Sequence, residues 1–299
     1  SFEVKTKVLI NTMGPWVNSL SQLEKNKKNQ VKVRLIKGSH IVVKKLFNHD
    51  SAYIFQGKDG RIIFSIPYEN DYTLIGTTEV EHQQGDEVKC SDEEKDYLCN
   101  FASGYFKRKI TKKDIIWDYS GVRALYEKRN VKARNASRDY SLELEENEGS
   151  VLLTVYGGKI TTYRKLAEKA VSKITSLLKL QRMEWTSTKH LPGGNFKLQD
   201  KEKLIRAMLK KYRFLNKRWA ERLFKTFGSD VEKVLGGAKA KKDLGRDFGF
   251  DLTEREVLWY INQEHVKCVE DLIWRRSKLG LRLSGKQIRE LNSYIKELN

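Results

Sequence analysis

Residues 155–168, VYGGKITTYRKLAE, combine residue types that together bind anions. Two adjacent glycines would let a ligand approach the backbone closely. They are followed by the cation of Lys159, the hydroxyls of Thr161 and Thr162, and the first turns of an amphipathic helix. Because a helix N-terminus presents unpaired N–H groups and a partial positive charge, this stretch predicts a site for an anion, or for an oxygen that becomes negative during a reaction. The alternative interpretation is a tight turn with an ordinary helix cap.

Three residues in other segments carry side chains that such a site would need. Arg123 follows a glycine in YSGVRALY, and Arg138 opens the next strand in SRDYSL. A guanidinium group binds carboxylate or phosphate through two parallel hydrogen bonds. His40, in KGSHIVV, could accept a proton near neutral pH. Each of the three also has a simpler interpretation, as a solvated arginine or as a structural histidine.

Several widespread catalytic and nucleotide-binding motifs are absent. No two glycines are separated by a single residue, so the dinucleotide fingerprint GxGxxG does not occur. A Walker A loop would need glycine at position 153, which is Leu153, and neither HExxH nor GxSxG is present. The 5 histidines and 3 cysteines show no metal-ligand spacing, so neither a metal site nor a disulfide framework is expected. This cysteine usage indicates a reducing compartment.

The 299 residues carry a net charge of +19, from 58 Lys and Arg against 39 Asp and Glu. Such an excess attracts nucleic acid, anionic lipid or anionic substrates without choosing among them. In residues 201–225, lysines and arginines are interleaved with aromatic side chains. This segment predicts either a surface for a membrane or a nucleic acid, or a solvated helix face above an aromatic core. No run of the sequence is apolar for long enough to span a bilayer.

Hydrophobic periodicity predicts strands in the first part of the chain and helices in the last. Ser91 and Glu94 form a capping box at the start of one early helix, and Thr253 and Glu256 form another much later. A domain boundary is predicted at 181–195, and no strands are predicted beyond it. Strands are predicted at 4–11, through 31–83, in DIIWDYSGVRALY, RDYSLELEE and GSVLLTVYGG, and helices at 91–106, 163–178, about 200–225, 229–236, 253–276 and 284–298.

Eight segments, taken in order and with their spacing, resemble one known family. They are INTMGPWVNSL, IKGSHIVV, IFSIPYENDYTLIGTTEVE, YSGVRALY, RDYSL, YGGKITTYRKLAE, LPGGNF and DLTEREVLWYINQEHVKCVEDLIWRRSKLG. The set resembles the C-terminal part of the FAD-dependent glycerol-3-phosphate dehydrogenases of the bacterial type, and the resemblance covers essentially the whole chain. Ala124 stands where that family commonly has proline, Glu79 where it has aspartate, and Thr12-Met13 where it has Ala-Thr or a similar pair.

The resemblance implies FAD as the cofactor and assigns roles to the candidate residues. In that family the GxGxxG fingerprint lies in an N-terminal portion. The chain is therefore expected to be a fragment that is inactive alone and does not retain FAD. The residues implied to contact the cofactor are Thr12, Gly14, Pro15, Gly158, Lys159, Thr161 and Thr162. Those implied to bind the substrate phosphate are Arg123, Arg138 and Lys159, and the catalytic residues are His40, Lys159 and Arg123, with His40 accepting the hydroxyl proton.

The expected fold is α+β. An antiparallel-sheet substrate domain (31–148) would interrupt a remnant of an FAD-binding domain (1–30 and 149–180), and an α-helical C-terminal domain (190–299) would follow. The N-terminus of the helix after GGKITT would face the flavin and favour its anionic reduced form.

By the same resemblance, the parent enzyme oxidises glycerol 3-phosphate to dihydroxyacetone phosphate and passes the electrons to membrane quinone. It would lie in the cytoplasm, peripherally on an anionic inner membrane face, with a homodimer possible and no nucleic acid partner expected. Two alternatives stay open. One is an oxidase that uses oxygen, and the other is a non-enzymatic basic module that binds nucleic acid or anionic lipid through residues 201–225.

Overall fold

The computed structural model describes residues 3–23, 33–126, 139–147, 150–181 and 184–298. The chain forms two compact units, Ser1–Ser187 and Thr188–Asn299. The fold class is α+β, as predicted, with antiparallel sheet in the first unit and mainly helices in the second. The predicted division into an interrupted FAD-binding domain, a substrate domain and a C-terminal domain stays a prediction.

The N-terminal unit holds nine strands and three helices among its described residues. The strands are β1 (Val8–Asn11), β2 (Val33–Lys44), β3 (Tyr53–Gln56), β4 (Ile62–Tyr68), β5 (Tyr72–Gly76), β6 (Val80–Glu81), β7 (Ile115–Tyr126), β8 (Tyr140–Asn147) and β9 (Ser150–Gly157). The helices are α1 (Val17–Leu23), α2 (Asp92–Ser103) and α3 (Tyr163–Leu177).

The larger sheet is antiparallel and is organised by β2. It has the order β3-β4-β5-β2-β6, and β7 pairs with β2 along the other edge. In this register Phe64, Gly76, His40 and Tyr119 lie in one row across β4, β5, β2 and β7. Because neighbours in such a row point to the same face of a sheet, these four residues share one face. The hairpin predicted at residues 57–60 joins β3 to β4 and is confirmed.

The opposite face of this sheet is covered by α2. Side chains that alternate along β2, such as Ile41 and Val43, pack there with Ile75 and with Leu98 of the helix. The predicted capping box at the start of α2 is confirmed. Ser91 Oγ accepts a hydrogen bond from the backbone N–H of Glu94, and the Glu94 carboxylate accepts one from the backbone N–H of Ser91.

The smaller sheet has the order β1-β9-β8 and carries the predicted anion-binding stretch. β1 runs parallel to β9, with Ile10 beside Leu153, whereas β8 is antiparallel to β9. β9 ends at Gly157, and a 3₁₀ turn (Ile160–Thr162) leads directly into α3. The strand–turn–helix unit expected from the periodicity is therefore present.

The C-terminal unit is mainly helical and has its own core. Its helices are α4 (Lys201–Lys211), α5 (Lys217–Phe227), α6 (Val231–Leu235), α7 (Glu254–Glu264), a π-helical turn (Asp271–Arg276) and α8 (Gly285–Leu298). Tyr212, Trp219 and Phe224 are buried in this core. These aromatic residues of the basic segment 201–225 therefore pack internally and are not free to stack on bases, whereas most of the cations around them stay exposed.

Three expectations for this unit are wrong. A short antiparallel pair, β10 (Asp247–Gly249) and β11 (Leu252–Thr253), occurs where no strands are predicted. The helix predicted over 200–225 is two helices, because the chain turns between α4 and α5. The helix predicted over 253–276 ends at Glu264, where His265 adopts left-handed backbone geometry. Whether the chain turns at such points depends on packing against other segments. The spacing of apolar residues within one segment does not show this packing.

The capping box predicted for Thr253 and Glu256 does not form, because Glu256 pairs with a distant arginine. The two carboxylate oxygens of Glu256 accept hydrogen bonds from Arg222 Nη1 and Nη2 at 2.6 and 2.8 Å. The Glu256 side chain is 1% exposed. Burial alone would lower the pKa of Arg222, but the adjacent Glu256 carboxylate raises it above its usual value. The guanidinium therefore stays charged inside the unit.

Replacing Glu256 tests this buried pair. We expect Glu256→Gln to lower the free energy of unfolding by about 3 kcal/mol, because it leaves the buried Arg222 charge without its partner. Urea unfolding measures the change. Glu221→Gln on the same helix as Arg222 is the control, since its pair with Lys217 spans 3.7 Å and is largely exposed. That control should change the stability by less than about 0.5 kcal/mol. Equal effects of the two substitutions would contradict the structural role of the Arg222 pair.

Candidate active site

A cavity of about 920 Å³ lies in the N-terminal unit. One wall is the start of β4 and the turn before it, residues 59–64, and another is residues 122–125 of β7. The turn at 157–160 forms a third side. The cavity thus lies where the larger sheet meets the strand–turn–helix unit of the smaller one.

Five of the predicted site residues line this cavity together. They are Gly14, Pro15, Arg123, Gly158 and Lys159. Although they come from three separate parts of the sequence, the fold places them around one space. Thr12, Thr161, Thr162 and His40 are not among the lining residues, and Arg138 lies outside the described residues.

The turn that presents Gly14 and Pro15 is organised by Asn11. The buried Asn11 side chain donates a hydrogen bond from Nδ2 to the Val17 carbonyl at 2.9 Å, and its Oδ1 accepts one from the Met13 N–H at 3.2 Å. Gly14 has a φ of +56°, and a Cβ added there would meet no atom within 4 Å. The glycine therefore leaves open space beside the backbone. Any other residue would be strained at this φ.

The turn that presents Gly158 and Lys159 has a similar design. Gly157 and Gly158 have φ values of +67° and +104°, which favour glycine. Thr162 stabilises the turn locally, because its hydroxyl donates to the Lys159 carbonyl at 3.0 Å and accepts from the Lys159 N–H at 3.4 Å. The Thr162 hydroxyl thus has a structural role in this geometry, while the Lys159 side chain lines the cavity.

The cavity cations have partners that an incoming anion could replace. Arg123 Nη1 lies 3.5 Å from Glu79 Oε1, and Lys159 Nζ lies 3.8 Å from Asp139 Oδ1. Arg123 and Lys159 are each nearly half exposed. Such ion pairs contribute at most about 1 kcal/mol in water. A phosphate group that offers two hydrogen-bonded oxygens to a guanidinium can compete with a single carboxylate contact of this kind.

His40 lies on the same sheet face as Phe64, which lines the cavity, but its ring is packed against the sheet. It stacks on Tyr119 with ring centroids 5.0 Å apart. Burial, and then the charge of Arg123, lower the pKa of His40 to about 4. The ring is therefore neutral at physiological pH. Its buried Nδ1 has no hydrogen-bond partner among the described residues.

Arg61 is a third cation of the cavity, and the sequence analysis did not identify it. Its guanidinium lies over the Tyr97 ring, 5.2 Å from the centroid, and Arg61 Nε is 3.7 Å from Asp59 Oδ2. Tyr97 donates a hydrogen bond to the same Asp59 oxygen at 3.0 Å. The available signal was the predicted GKDG hairpin, because Arg61 follows it directly and the hairpin residues Asp59 and Gly60 line the same wall.

Thr77 and Glu79 complete the lining and were also not predicted to be site residues. Both belong to GTTEVE, which runs from the end of β5 through β6. The only indication in the sequence was that this segment is one of the eight that carry the family resemblance. Thr77 donates a hydrogen bond to the Thr78 carbonyl at 3.0 Å.

Comparison with known protein families assigns both parts of the chain. Residues 2–164 match the family described as FAD dependent oxidoreductase. Residues 184–295 match the C-terminal domain of alpha-glycerophosphate oxidase. Because the first match covers more than half of the chain, the protein belongs to the FAD-dependent oxidoreductase family.

Curated relatives narrow the resemblance to one group within that family. The chain is 39% identical over 297 residues to a glycerol-3-phosphate dehydrogenase of Pseudomonas aeruginosa, covering 98% of this chain and 58% of the relative. It is 38% identical over 292 residues to the aerobic glycerol-3-phosphate dehydrogenase of Escherichia coli, covering 97% and 58%. A D-erythritol 1-phosphate dehydrogenase of Brucella abortus is 34% identical over 281 residues, covering 94% and 56%. The resemblance inferred from the eight segments is confirmed, and the chain spans less than three fifths of the length of these relatives.

A solved structure shows the same fold. The glycerol-3-phosphate dehydrogenase of Bacillus halodurans, determined in complex with FAD, superposes with a TM-score of 0.78. The match covers 98% of this chain and 62% of that one at 24% identity. At this identity the comparison supports the architecture and not the roles of individual residues.

The cavity residues fit a flavin. Gly14 and Gly158 present backbone without side chains at positive φ, and the space in front of Gly14 is open. A helical segment begins directly after Gly158 and Lys159, and the first N–H groups of such a segment can bind an oxygen such as a flavin carbonyl. Gly14, Pro15, Gly158 and Lys159 are therefore the residues that would hold the ring in this part of the chain.

The interaction of His40 with Arg123 can be tested by titration. We expect Arg123→Gln to raise the pKa of His40 above about 4, because a repelling positive charge is removed, and to leave it below 6.5, because burial remains the larger cause. The histidine ring signals in NMR spectra recorded between pH 3 and 8 measure this shift. Arg108→Gln, an exposed cation paired with Asp114, should leave the midpoint unchanged. An unchanged midpoint in Arg123→Gln would show that the two side chains do not interact.

Proposed function

We propose that this chain is the part of an FAD-dependent glycerol-3-phosphate dehydrogenase that binds the substrate and one side of the flavin. The supporting observation is the single cavity that joins Gly14 and Gly158, which suit a flavin, to the cations Arg123 and Lys159. A phosphate-bearing substrate held by those cations would lie beside the ring. The proposed domains are the FAD-binding segments 1–30 and 149–180, the substrate domain 31–148 and the helical domain 190–299.

The proposed roles rest on the cavity for some residues and on the family resemblance for the others. Arg123 and Lys159 would bind the substrate phosphate, and we assign Arg138 to the same task from the sequence resemblance. Glu79 and Asp139, which lie beside the first two cations, would be displaced. Thr12, Thr161 and Thr162 remain proposed cofactor contacts, although they do not line the cavity as described.

Oxidation of a secondary alcohol removes a hydride from carbon and a proton from the hydroxyl oxygen. FAD supplies the hydride acceptor when it is bound. We assign the proton to His40, because its low pKa keeps the ring neutral and able to accept at physiological pH. The positive charge of Arg123 near His40 would then favour passing the proton on.

Membrane quinone is the proposed electron acceptor, and the proposed location is the cytoplasmic face of the membrane. No helix in the described part of the chain is long and apolar enough to cross a bilayer. The net charge of +19 supports contact with an anionic surface. Oxygen is the alternative acceptor, favoured by the match of residues 184–295 to the C-terminal domain of alpha-glycerophosphate oxidase.

The visible spectrum of the complete protein tests the function. In the absence of oxygen, glycerol 3-phosphate should bleach the flavin band, and dihydroxyacetone phosphate should accumulate in proportion. Added quinone analogue should restore the band if quinone is the acceptor, whereas peroxide formed on admitting air would favour the oxidase. Bleaching by erythritol 1-phosphate alone would assign the substrate of the Brucella relative instead. A flavin band that neither substrate changes would refute the proposal.

Substitution of Arg123 tests the phosphate site. We expect Arg123→Gln to raise the KM for glycerol 3-phosphate about 10- to 100-fold, because a hydrogen bond to a charged group contributes roughly 1.5–3 kcal/mol. Steady-state kinetics of the complete protein measure this change. Arg108→Gln is the matched control, since Arg108 does not line the cavity. An unaltered KM in the Arg123 variant would remove that residue from the substrate site.

A further inference from the structure

Glu94 is a buried carboxylate that the proposed chemistry does not use. Its side chain is 6% exposed. Oε1 accepts hydrogen bonds from Ser39 Oγ at 2.8 Å and Thr78 Oγ1 at 2.6 Å. Oε2 accepts one from the Ser91 N–H at 2.9 Å and lies 2.9 Å from Lys37 Nζ. Each carboxylate oxygen thus has two donors, more than a helix cap requires.

Two of these donors, Ser39 and Thr78, belong to segments that carry the candidate site. Ser39 lies between Gly38 and His40 on β2, and Thr78 follows Thr77, which lines the cavity. Ser39 and Thr78 are also joined directly, through Ser39 N–H to Thr78 Oγ1 at 2.9 Å and Thr78 N–H to the Ser39 carbonyl at 3.2 Å. One carboxylate therefore holds two site-bearing segments to each other.

The network extends to β7. Ser39 Oγ and Ser120 Oγ are 2.7 Å apart. Since the Ser39 hydroxyl has one hydrogen and donates it to Glu94, the Ser120 hydroxyl must be the donor in that contact. Ser120 lies beside Tyr119, on which the His40 ring stacks. Between β2 and β7, the Ser39–Ser120 pair is next to the His40–Tyr119 pair. Because neighbouring residues of a strand point to opposite faces, the polar network lies on one face of the sheet and the His40–Tyr119 stack on the other.

Two glycines, Gly38 and Gly76, face the site in this part of the sheet. A Cβ at Gly38 would come within 2.6 Å of Thr77 Oγ1, and a Cβ at Gly76 would overlap the His40 ring. Both glycines are needed to make room, so at these two positions the strands have no side chain of their own that would help to fix them. A restraint from the other face would compensate.

We propose that Glu94 is a positioning residue, which from behind the sheet fixes Ser39 and Thr78 and thereby holds the His40 ring in its buried orientation beside the cavity. The proposal deepens the proposed function, on which it depends only for the role of His40 in turnover. It also explains why a charged residue occupies a place that is otherwise an apolar interface between α2 and the sheet.

The carboxylate is the form that this network requires. Burial alone would raise the pKa of Glu94, but hydrogen bonds from Lys37, the Ser91 backbone, Thr78 and Ser39 lower it to about 2. In Glu94→Gln, the amide NH₂ would replace an acceptor and face either the Ser91 N–H and Lys37 or the two hydroxyls. In the first orientation donors would oppose donors, and in the second the two hydroxyls could accept from the amide only by giving up the hydrogens that they now donate to the carboxylate. The variant keeps the shape of the side chain and removes or reverses hydrogen bonds of the network.

Three variants separate positioning from stability. Glu94→Gln disrupts the network at its central carboxylate, and Thr78→Val removes one hydroxyl of it at nearly constant shape. Leu98→Ala is the control, because it removes apolar packing one turn further along α2 without touching the network. The histidine NMR signals of the chain itself report on His40, and steady-state kinetics of the complete protein report on turnover.

The His40 titration distinguishes positioning from electrostatics by its sign. Removing the negative charge of Glu94 alone would lower the pKa of His40 further. Release of the ring into water would instead raise it from about 4 toward 6.5. The titratable groups beside the ring, Arg123 and Tyr119, are retained in all three variants. We expect a rise in Glu94→Gln, a smaller rise in Thr78→Val and no change in Leu98→Ala.

In the complete protein, we expect Glu94→Gln to lower kcat about 10- to 100-fold with the KM changed less than about threefold, because misplacing a reacting group slows the chemical step while the phosphate-binding cations stay in place. An unchanged or lowered pKa of His40 in both network variants would overturn the proposal, as would a loss of kcat no larger than in Leu98→Ala. If Glu94→Gln does not fold, Thr78→Val decides by the same criteria. A wild-type protein without glycerol 3-phosphate oxidation would refute the proposed function, while the His40 titration would still decide the role of Glu94.

Discussion

The alternation of side chains along β2 is the constraint on which the N-terminal unit depends. Residues one apart point to opposite faces of a strand. Ile41 and Val43 therefore pack under α2, while His40 is directed to the face that borders the cavity. Because β2 pairs with both β5 and β7, a shift of its register by one residue would exchange core and site residues along its whole length.

Ion pairs have two different tasks in this protein, and burial decides between them. The Arg222–Glu256 pair is bidentate and almost fully enclosed, so losing one partner would leave a charge inside the C-terminal unit. The Arg123–Glu79 pair is a single 3.5 Å contact between half-exposed groups. Water screens it strongly, so a ligand can separate it at little cost. The first arrangement suits a structural element and the second a binding site.

Local patterns were sufficient to predict elements whose signals lie within one segment. The capping box of Ser91 and Glu94, the hairpin after β3 and the helix after GGKITT all formed, since each is specified by residues a few positions apart. The same rule failed for Thr253 and Glu256, because Arg222 lies 34 residues away and binds the glutamate more strongly than a helix cap does. A capping motif identifies a carboxylate near a helix start but not its strongest partner.

The candidate site was predictable in part for a related reason. Arg123 and Lys159 were found because their own segments carry recognisable chemistry, Gly14 was found through the family resemblance, and the fold brings all three to one cavity. Arg61 and Glu94 were missed because what matters about them is contact between α2 and distant segments: Tyr97 of α2 with Arg61, 36 positions earlier, and Glu94 of α2 with Ser39, 55 positions earlier. The packing of α2 on the sheet determines those contacts, and that packing depends on the hydrophobic pattern of both elements and not on any one motif. Residues that bind a ligand can thus be recognised from local sequence, whereas residues that position them require the fold.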